Sequence, residues 1–392
     1  MPGSMLTMES RAEPPESASS ARVPALDGLR GLAVLLVLLS HASNVQIFLW
    51  PGFDFRGTGR AGVFLFFVLS AYLLTAQFLD SDPRALRGWR PWVRYVVRRL
   101  LRIYPAYFVC LFLHLALKDE IRIQELQHWT LGTVGEHLAM IRAELHFWTV
   151  PVEVGYYLVL PLVVLVLLPL RARPALACAT LVLAAVALRF LYPPDYGSRA
   201  PDFEVNLLPF LPVFLAGSAG AVVAQAWRRS APAQHSRARA RGNRIWDLAA
   251  VVSGIVLLLH APAVWSQVTG EYVEHTLFHM RFGIFALLWS VLLVSLVCGS
   301  GWLRRPFELS ALRWVGKVSY STYLFHRLIL VEVELRLGDV MGPWSGLAFL
   351  VAALLAGWLS YRFIERPFMR LWARSGRKVE IAPRLAEGGG GG

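Results

Sequence analysis

The sequence predicts an all-α, polytopic membrane protein of about ten transmembrane helices with both termini cytoplasmic. Three observations carry this. The 392 residues are 56% hydrophobic and only 17% charged, with a mean hydropathy of +0.50, more apolar than soluble domains of this size. A bilayer core needs about 20 apolar residues per helix, and such runs recur at 28–47, 60–79, 95–117, 146–168, 174–192, 206–227, 246–264, 279–299, 316–337 and 344–365. Finally, the loops between them alternate in charge, as the positive-inside rule requires.

The alternation can be followed along the chain. A cytoplasmic N-terminus puts Arg84 to Arg102, Arg171 and Arg173, Arg228 to Arg244, Arg304 to Lys317, and Arg362 to Arg384 on the inside, which accounts for most of the 39 basic residues. The outer loops collect acids: Asp119, Glu120, Glu125, Glu136 and Glu144, then Asp195, Asp202 and Glu204, then Glu271 and Glu274. The net charge of +13 is therefore a topology signal, and no nucleic-acid partner is expected; membrane lipids are. Cys110, Cys178 and Cys298 lie singly in apolar runs without pairing or metal-ligand spacing and read as packing residues. Residues 1–23 read as a disordered cytoplasmic tail without a cleavable signal. Residues 24–370 form one transmembrane domain, and 371–392 a basic tail with a Gly-rich end. The loop from Lys118 to Leu145 holds an expected interfacial helix, because Trp129, Leu131, Val134, Leu138 and Ile141 recur at helical spacing. No internal repeat of the kind that builds many transporters is visible.

Polar residues inside these spans carry the functional signal, since each is costly in a bilayer. In the first span Arg30 and His41 share a helix face, about 16 Å apart along the axis, so the arginine sits near the inner surface and the imidazole near the middle. Glu153 in the fourth span and His326 in the ninth fall in the same central slab. A carboxylate beside an imidazole fixes its tautomer and raises its basicity, as a general base requires. Ser319, Tyr323 and His326 lie at i, i+4 and i+7 on one face of the ninth span, a face suited to lining a polar cavity. Arg94, Arg98, Arg99 and Arg102 crowd the inner end of the third span, where planar guanidinium forks suit an anion such as phosphate.

Each feature also has a purely structural explanation. Arginines at inner helix ends commonly snorkel to lipid headgroups. A lone intramembrane histidine or glutamate is often only an interhelical hydrogen-bond partner. Tyr320 and Tyr323 would serve as packing aromatics, and Ser70 and Ser319 would bond back to their own helices. The functional case rests on convergence of these groups.

Six segments, in order, are similar to the acyltransferase 3 family of membrane proteins, which O-acylate polysaccharides, lipopolysaccharide and some antibiotics. They are Arg30 with His41; Phe64 to Leu74 around Ser70; Arg99 to Pro105; Trp148 to Glu153; Gly316 to His326; and Glu365-Arg366-Pro367. The resemblance covers about residues 24–370. It implies a cytosolic acyl-CoA donor, acetyl-CoA or another short acyl-CoA, with no metal. It further implies that Arg99 and Arg102 bind donor phosphates, that His41 acts on the acceptor hydroxyl, and that Arg30 and Glu153 are further motif residues. Two departures stand out. The family's usual Ser-Gly-Phe is Ser70-Ala71-Tyr72 here, which is expected to crowd close helix packing. Many members also carry a C-terminal hydrolase-like domain, whereas this sequence has only a basic tail after Arg370, so transfer is expected within the membrane domain or by relay to another protein.

The expected protein is thus a plasma-membrane O-acyltransferase acting on a hydroxyl of a cell-surface glycan, glycolipid or similar carbohydrate-containing acceptor. His41 and Glu153 are the expected catalytic residues. Arg30, Arg98, Arg99 and Arg102 are expected at the donor, and Ser70, Ser319, Tyr320, Tyr323 and His326 at the substrate. The alternative is a transporter or acyl relay in which the same residues pass a substrate without chemistry at His41. Acceptor identity, acyl length and oligomeric state are not legible in the sequence.

Overall fold

The computed structural model describes residues 23–49, 54–121, 126–192, 205–230, 237–270, 282–341 and 344–371. The expected N-terminal tail, the basic and Gly-rich stretch after Leu371, and the acids Glu125, Asp195, Asp202, Glu204, Glu271 and Glu274 lie outside them. The described residues form α1 (Ala25–Asn44), α2 (Gly59–Leu79), α3 (Arg90–Ile121), α4 (Leu131–Leu138), α5 (Thr149–Leu167), α6 (Pro174–Leu191), α7 (Leu211–Ser230), α8 (Arg237–Leu259), α9 (Pro262–Thr269), α10 (Phe282–Cys298), α11 (Ser310–Met341) and α12 (Ser345–Ser360). A π-helical turn, Tyr361–Glu365, continues α12.

Each of the ten apolar runs overlaps a helix, though 246–264 is broken between α8 and α9. By length and composition seven helices can cross a membrane, or eight if Gly283–Cys298 and the segment Trp302–Glu308, bent from it by 105°, count as one span. The Gly- and Ser-containing α7 and the charged α11 are not among them. The expected helix in the loop before α5 is present as α4, capped by Thr130, whose side chain accepts from the Thr133 amide. The apolar residues in and beside it divide: Trp129 and Val134 are buried, whereas Leu131 and Ile141 are exposed. Glu144 fastens this loop, accepting from Trp129 Nε1 at 2.6 Å, meeting His128 Nε2 at 3.1 Å and pairing with Arg142. Partial burial pushes the Glu144 carboxyl up, but the bonds from Trp129, His128 and Arg142 outweigh it and hold it below the usual carboxylate range.

Packing follows side-chain size. Helix α1 sits between α2 and α11; α2 packs on α7, α7 on α6 and α10, and α10 on α8, while α12 lies against α11. Helices α3 and α5 close the side: α3 touches α11, α5 and the π turn, and α5 touches α2. The outer faces of α6 and α8 expose Leu183, Phe190, Ile245 and Leu248, apolar sides of the kind lipid covers.

The tightest crossing joins α1 and α11. A Cβ on Gly316 would overlap the Asp27 carbonyl, and one on Gly31 would overlap the carbonyl of Leu312. Small residues let backbones meet this closely without a hydrophobic drive between helices. The crowding expected from Ala71 and Tyr72 is met the same way, because α7 presents Gly217 and Gly220 to them. Gly316→Ala is therefore expected to destabilise the protein by about 1–3 kcal/mol, read as a lower Tm in detergent. Gly254→Ala on α8, where a Cβ meets open space, should leave Tm unchanged or raised.

Candidate active site

Five helices bring polar side chains to one cavity. Arg30 comes from α1, Ser70 from α2, Arg99 and Arg102 from α3, Glu153 and Tyr157 from α5, and Ser319, Tyr320 and Tyr323 from α11. Phe66, Phe67 and Ile103 are among the other residues of the wall. The space open to water-sized groups is about 80 Å³. It is a narrow pocket in which polar and charged groups converge between apolar side chains.

Three guanidinium groups share this cavity, and two have a carboxylate partner. Arg30 lies 3.9 Å from Asp27 one turn earlier in α1. Arg102 lies 3.7 Å from Glu365, a carboxylate only 1% exposed at the end of the π turn. Ser321 Oγ donates to Glu365 Oε2 at 3.1 Å and in turn accepts from Ser360 Oγ at 3.1 Å. Arg99 stands over the Tyr157 ring at 5.9 Å, and its Nε is buried with no hydrogen-bond partner among the described residues. A guanidinium so placed, with donors unspent, suits an incoming anion. Glu153 tempers this charge and holds the opposite wall, where its Oε1 accepts from Ser70 Oγ at 3.0 Å and from Tyr157 OH at 2.6 Å.

A second polar group adjoins the first. The ring of His41 lies 5.1 Å from that of His326, His326 lies 4.9 Å from His146, and His146 lies 5.8 Å from His114. Tyr323 joins the two groups: it lines the cavity, and its ring is 5.6 Å from both His146 and His326. Its hydroxyl donates to the His146 carbonyl at 2.7 Å and accepts from Thr149 Oγ1 at 3.2 Å.

The structure therefore divides the expected site. Arg30, Arg99, Arg102, Glu153, Ser70, Ser319, Tyr320 and Tyr323 meet at the cavity. His41 and His326 meet each other but are not in the cavity wall. The expected contact of Glu153 with His41 is absent, because Glu153 is turned to Ser70 and Tyr157. Arg94 and Arg98 are exposed, since helical spacing carries only Arg99 and Arg102 to the inward face of α3. Tyr320 lines the wall while its hydroxyl donates to the Ile103 carbonyl at 2.9 Å. Sequence reasoning missed four residues: Glu365, Tyr157, His146 and His114. Glu365 stood in a motif without a role, and His114 was an unused histidine inside an apolar run. Among the described residues, no three of His, Cys, Asp and Glu are grouped to hold a metal ion.

An apolar all-helical bundle that buries arginines, carboxylates and histidines around one cavity defines a membrane protein with a reactive polar interior. The kind of reaction follows from comparison with known proteins: residues 23–362 match the acyltransferase 3 model, described as an acyltransferase domain, and the chain belongs to that family. A peptidoglycan O-acetyltransferase of Listeria monocytogenes is 25% identical over 383 residues, covering 89% of this chain and 56% of that protein. A putative peptidoglycan O-acetyltransferase of Bacillus subtilis is 27% identical over 403 residues, covering 93% and 58%. A putative O-acetyltransferase of Staphylococcus aureus is 24% identical over 380 residues, covering 89% and 57%. The chain thus spans just over half the length of the curated relatives it matches. No solved structure matches it significantly.

Glu365→Gln keeps a group of the same shape beside Ser321 but removes the charge opposite Arg102. Its expected cost is about 1–3 kcal/mol, measured as a fall in Tm. Ser321→Ala, which leaves the carboxylate in place, should cost less.

Proposed function

We propose that the protein is a membrane-bound O-acyltransferase. It moves an acetyl or other short acyl group from cytosolic acyl-CoA to a hydroxyl of a cell-surface glycan or similar carbohydrate-containing acceptor. The observation that carries this reading is the common wall of the cavity: guanidinium groups of Arg30, Arg99 and Arg102 face the same space as Tyr323, which touches the histidines beside it. The naming of two relatives as peptidoglycan O-acetyltransferases, one of them putative, supports a glycan as acceptor. In this reading ten spans cross the plasma membrane with both termini cytoplasmic, and residues 24–370 are the catalytic domain.

The chemistry assigns each group a task. Arg99, its donors unspent, and Arg102, held by Glu365, bind the donor's phosphates, while Arg30 adds positive field from α1. His41 takes the proton of the acceptor hydroxyl as the oxygen attacks the thioester carbonyl; general-base help of this kind contributes about 10²- to 10⁴-fold. His326 is the polar partner that orients His41, the task first expected of Glu153. Glu153 positions Ser70 and Tyr157 and balances the arginines. Tyr323 or Ser70, by turning its O–H away from the His146 carbonyl or from Glu153, supplies a hydroxyl donor to the developing oxyanion, and Ser319, Tyr320 and Tyr323 shape the substrate side.

His41→Asn in proteoliposomes supplied with acetyl-CoA and soluble peptidoglycan fragments is expected to abolish acetyl transfer without lowering Tm. Arg99→Lys and Arg102→Lys should raise KM for acetyl-CoA about tenfold or more, the loss of one forked contact, with a smaller change in kcat. Transfer retained by His41→Asn would overturn the mechanism. Passage of acyl groups without consumption of acetyl-CoA would instead indicate a relay.

A further inference from the structure

The four histidines have a hydrogen-bond pattern that the acyl-transfer scheme does not use. His326 Nδ1 donates to the Tyr323 carbonyl at 2.6 Å. His146 Nε2 donates to the Leu324 carbonyl at 2.8 Å, and His114 Nδ1 donates to the Cys110 carbonyl at 2.8 Å. A carbonyl only accepts, so each of these nitrogens carries the hydrogen, and in a neutral imidazole the other nitrogen is then an acceptor. Those acceptors are Nε2 of His326, Nδ1 of His146 and Nε2 of His114. All three are buried, and none has a partner among the described residues. The rings themselves are 0%, 4% and 0% exposed.

Three neighbouring buried acceptors that no protein donor reaches must be satisfied from elsewhere, because buried polar groups are hydrogen-bonded. What satisfies them must bring hydrogen: a water, or a proton. A metal ion would use the same lone pairs, but these residues are not grouped for one. Among the described residues, no carboxylate is hydrogen-bonded to any of the four rings. The groups facing them are Tyr323 and Arg327 on α11, Cys110 on α3, and His137 on α4 beyond His114. Phe147 and Trp129 pack against the His114 end and separate it from the Glu144 cluster. The row thus begins at His41 and ends inside the protein.

We propose that His326, His146 and His114 form an internal proton store for His41, a deduction that rests on the acyltransferase reading above. In the transfer step the acceptor O–H bond breaks and its proton goes to His41, while the oxygen bonds to the acyl carbon. The proton is then shared with His326 Nε2 and His146 Nδ1, directly or through a bound water. As the C–S bond of the thioester breaks, the proton returns through His41 to the departing thiolate, so the row is neutral again after each turnover. Spreading the charge over several rings replaces the carboxylate that a histidine base ordinarily leans on. His146 and His114 act through His41 and are positioning residues.

Purified full-length protein with acetyl-CoA and soluble peptidoglycan fragments tests this. His146→Phe keeps a ring among Phe147 and Tyr323 but removes the central acceptor. Its kcat should fall about tenfold or more, at the lower end of what a proton-handling group contributes, with KM for acetyl-CoA unchanged. The proton inventory of kcat in mixed light and heavy water should be curved in the parent protein and linear in His146→Phe. His146→Ala should regain activity with added imidazole. Unchanged kcat, or a loss that tracks a lower Tm with the same inventory, would overturn the store. A readout free of activity is 15N NMR of labelled histidines. The row should titrate as a coupled group in the parent, and the remaining rings should titrate separately in His146→Phe. Coupled titration in a protein that transfers no acetyl group would retain the store and refute the acyltransferase reading; transfer with independent titration would do the reverse.

Discussion

Charge inside an apolar bundle must be matched, and the site depends on how this chain meets that condition. Arg102 can point into the cavity because Glu365 stands behind it, almost fully buried and held by Ser321 and Ser360. Leaving the charge uncompensated there would cost about 1–3 kcal/mol. The π turn makes the match possible: a wider winding after α12 brings residue 365 to α3, and the following helix continues to Leu371. Arg30 uses a nearer partner, Asp27 in its own first turn. Arg99 is left with an aromatic face alone among the described residues, which makes it the cation most available to a ligand.

The same condition divides the polar interior in two. Glu153 has its acceptor capacity turned to Ser70 and Tyr157, and it sits where the guanidinium groups need it. His41 is consequently left to other imidazoles. Tyr323 is the joint between the two groups, with one side in the cavity wall and the other against the rings of His146 and His326. A ligand pressed against Tyr323 would therefore be felt on both sides of that division.

The helices were legible because length and apolarity are properties of a run: each of the ten runs overlaps a helix. Which arginines face inward was legible only in part. The i+3 spacing of Arg99 and Arg102 marks one helix face, but nothing local distinguishes it from the face bearing Arg94 and Arg98. Depth along a helix axis put His41 and His326 in one slab, and their rings do meet, although His41 lies in the last turn of α1 and His326 near the middle of α11. Depth said nothing of rotation about the axis, and so it placed Glu153 against His41 when the side chain points elsewhere. His146 and Glu365 were hidden for another reason: one precedes α5 in a short 3₁₀ turn and the other lies in the π turn, where α-helical geometry does not apply.

The close meeting of α1 and α11 at Gly316 has a mechanical side. Two backbones in contact leave no slack to compress, so that wall of the cavity is stiff. Helices α3 and α5 are built differently, each with an internal proline, Pro105 and Pro161, that removes a backbone hydrogen bond and softens the rod. Pro105 lies just past Arg102 and Ile103 in the cavity wall. The cavity is thus a vise with one fixed jaw and one compliant jaw, and the compliant jaw is the one that carries the arginines.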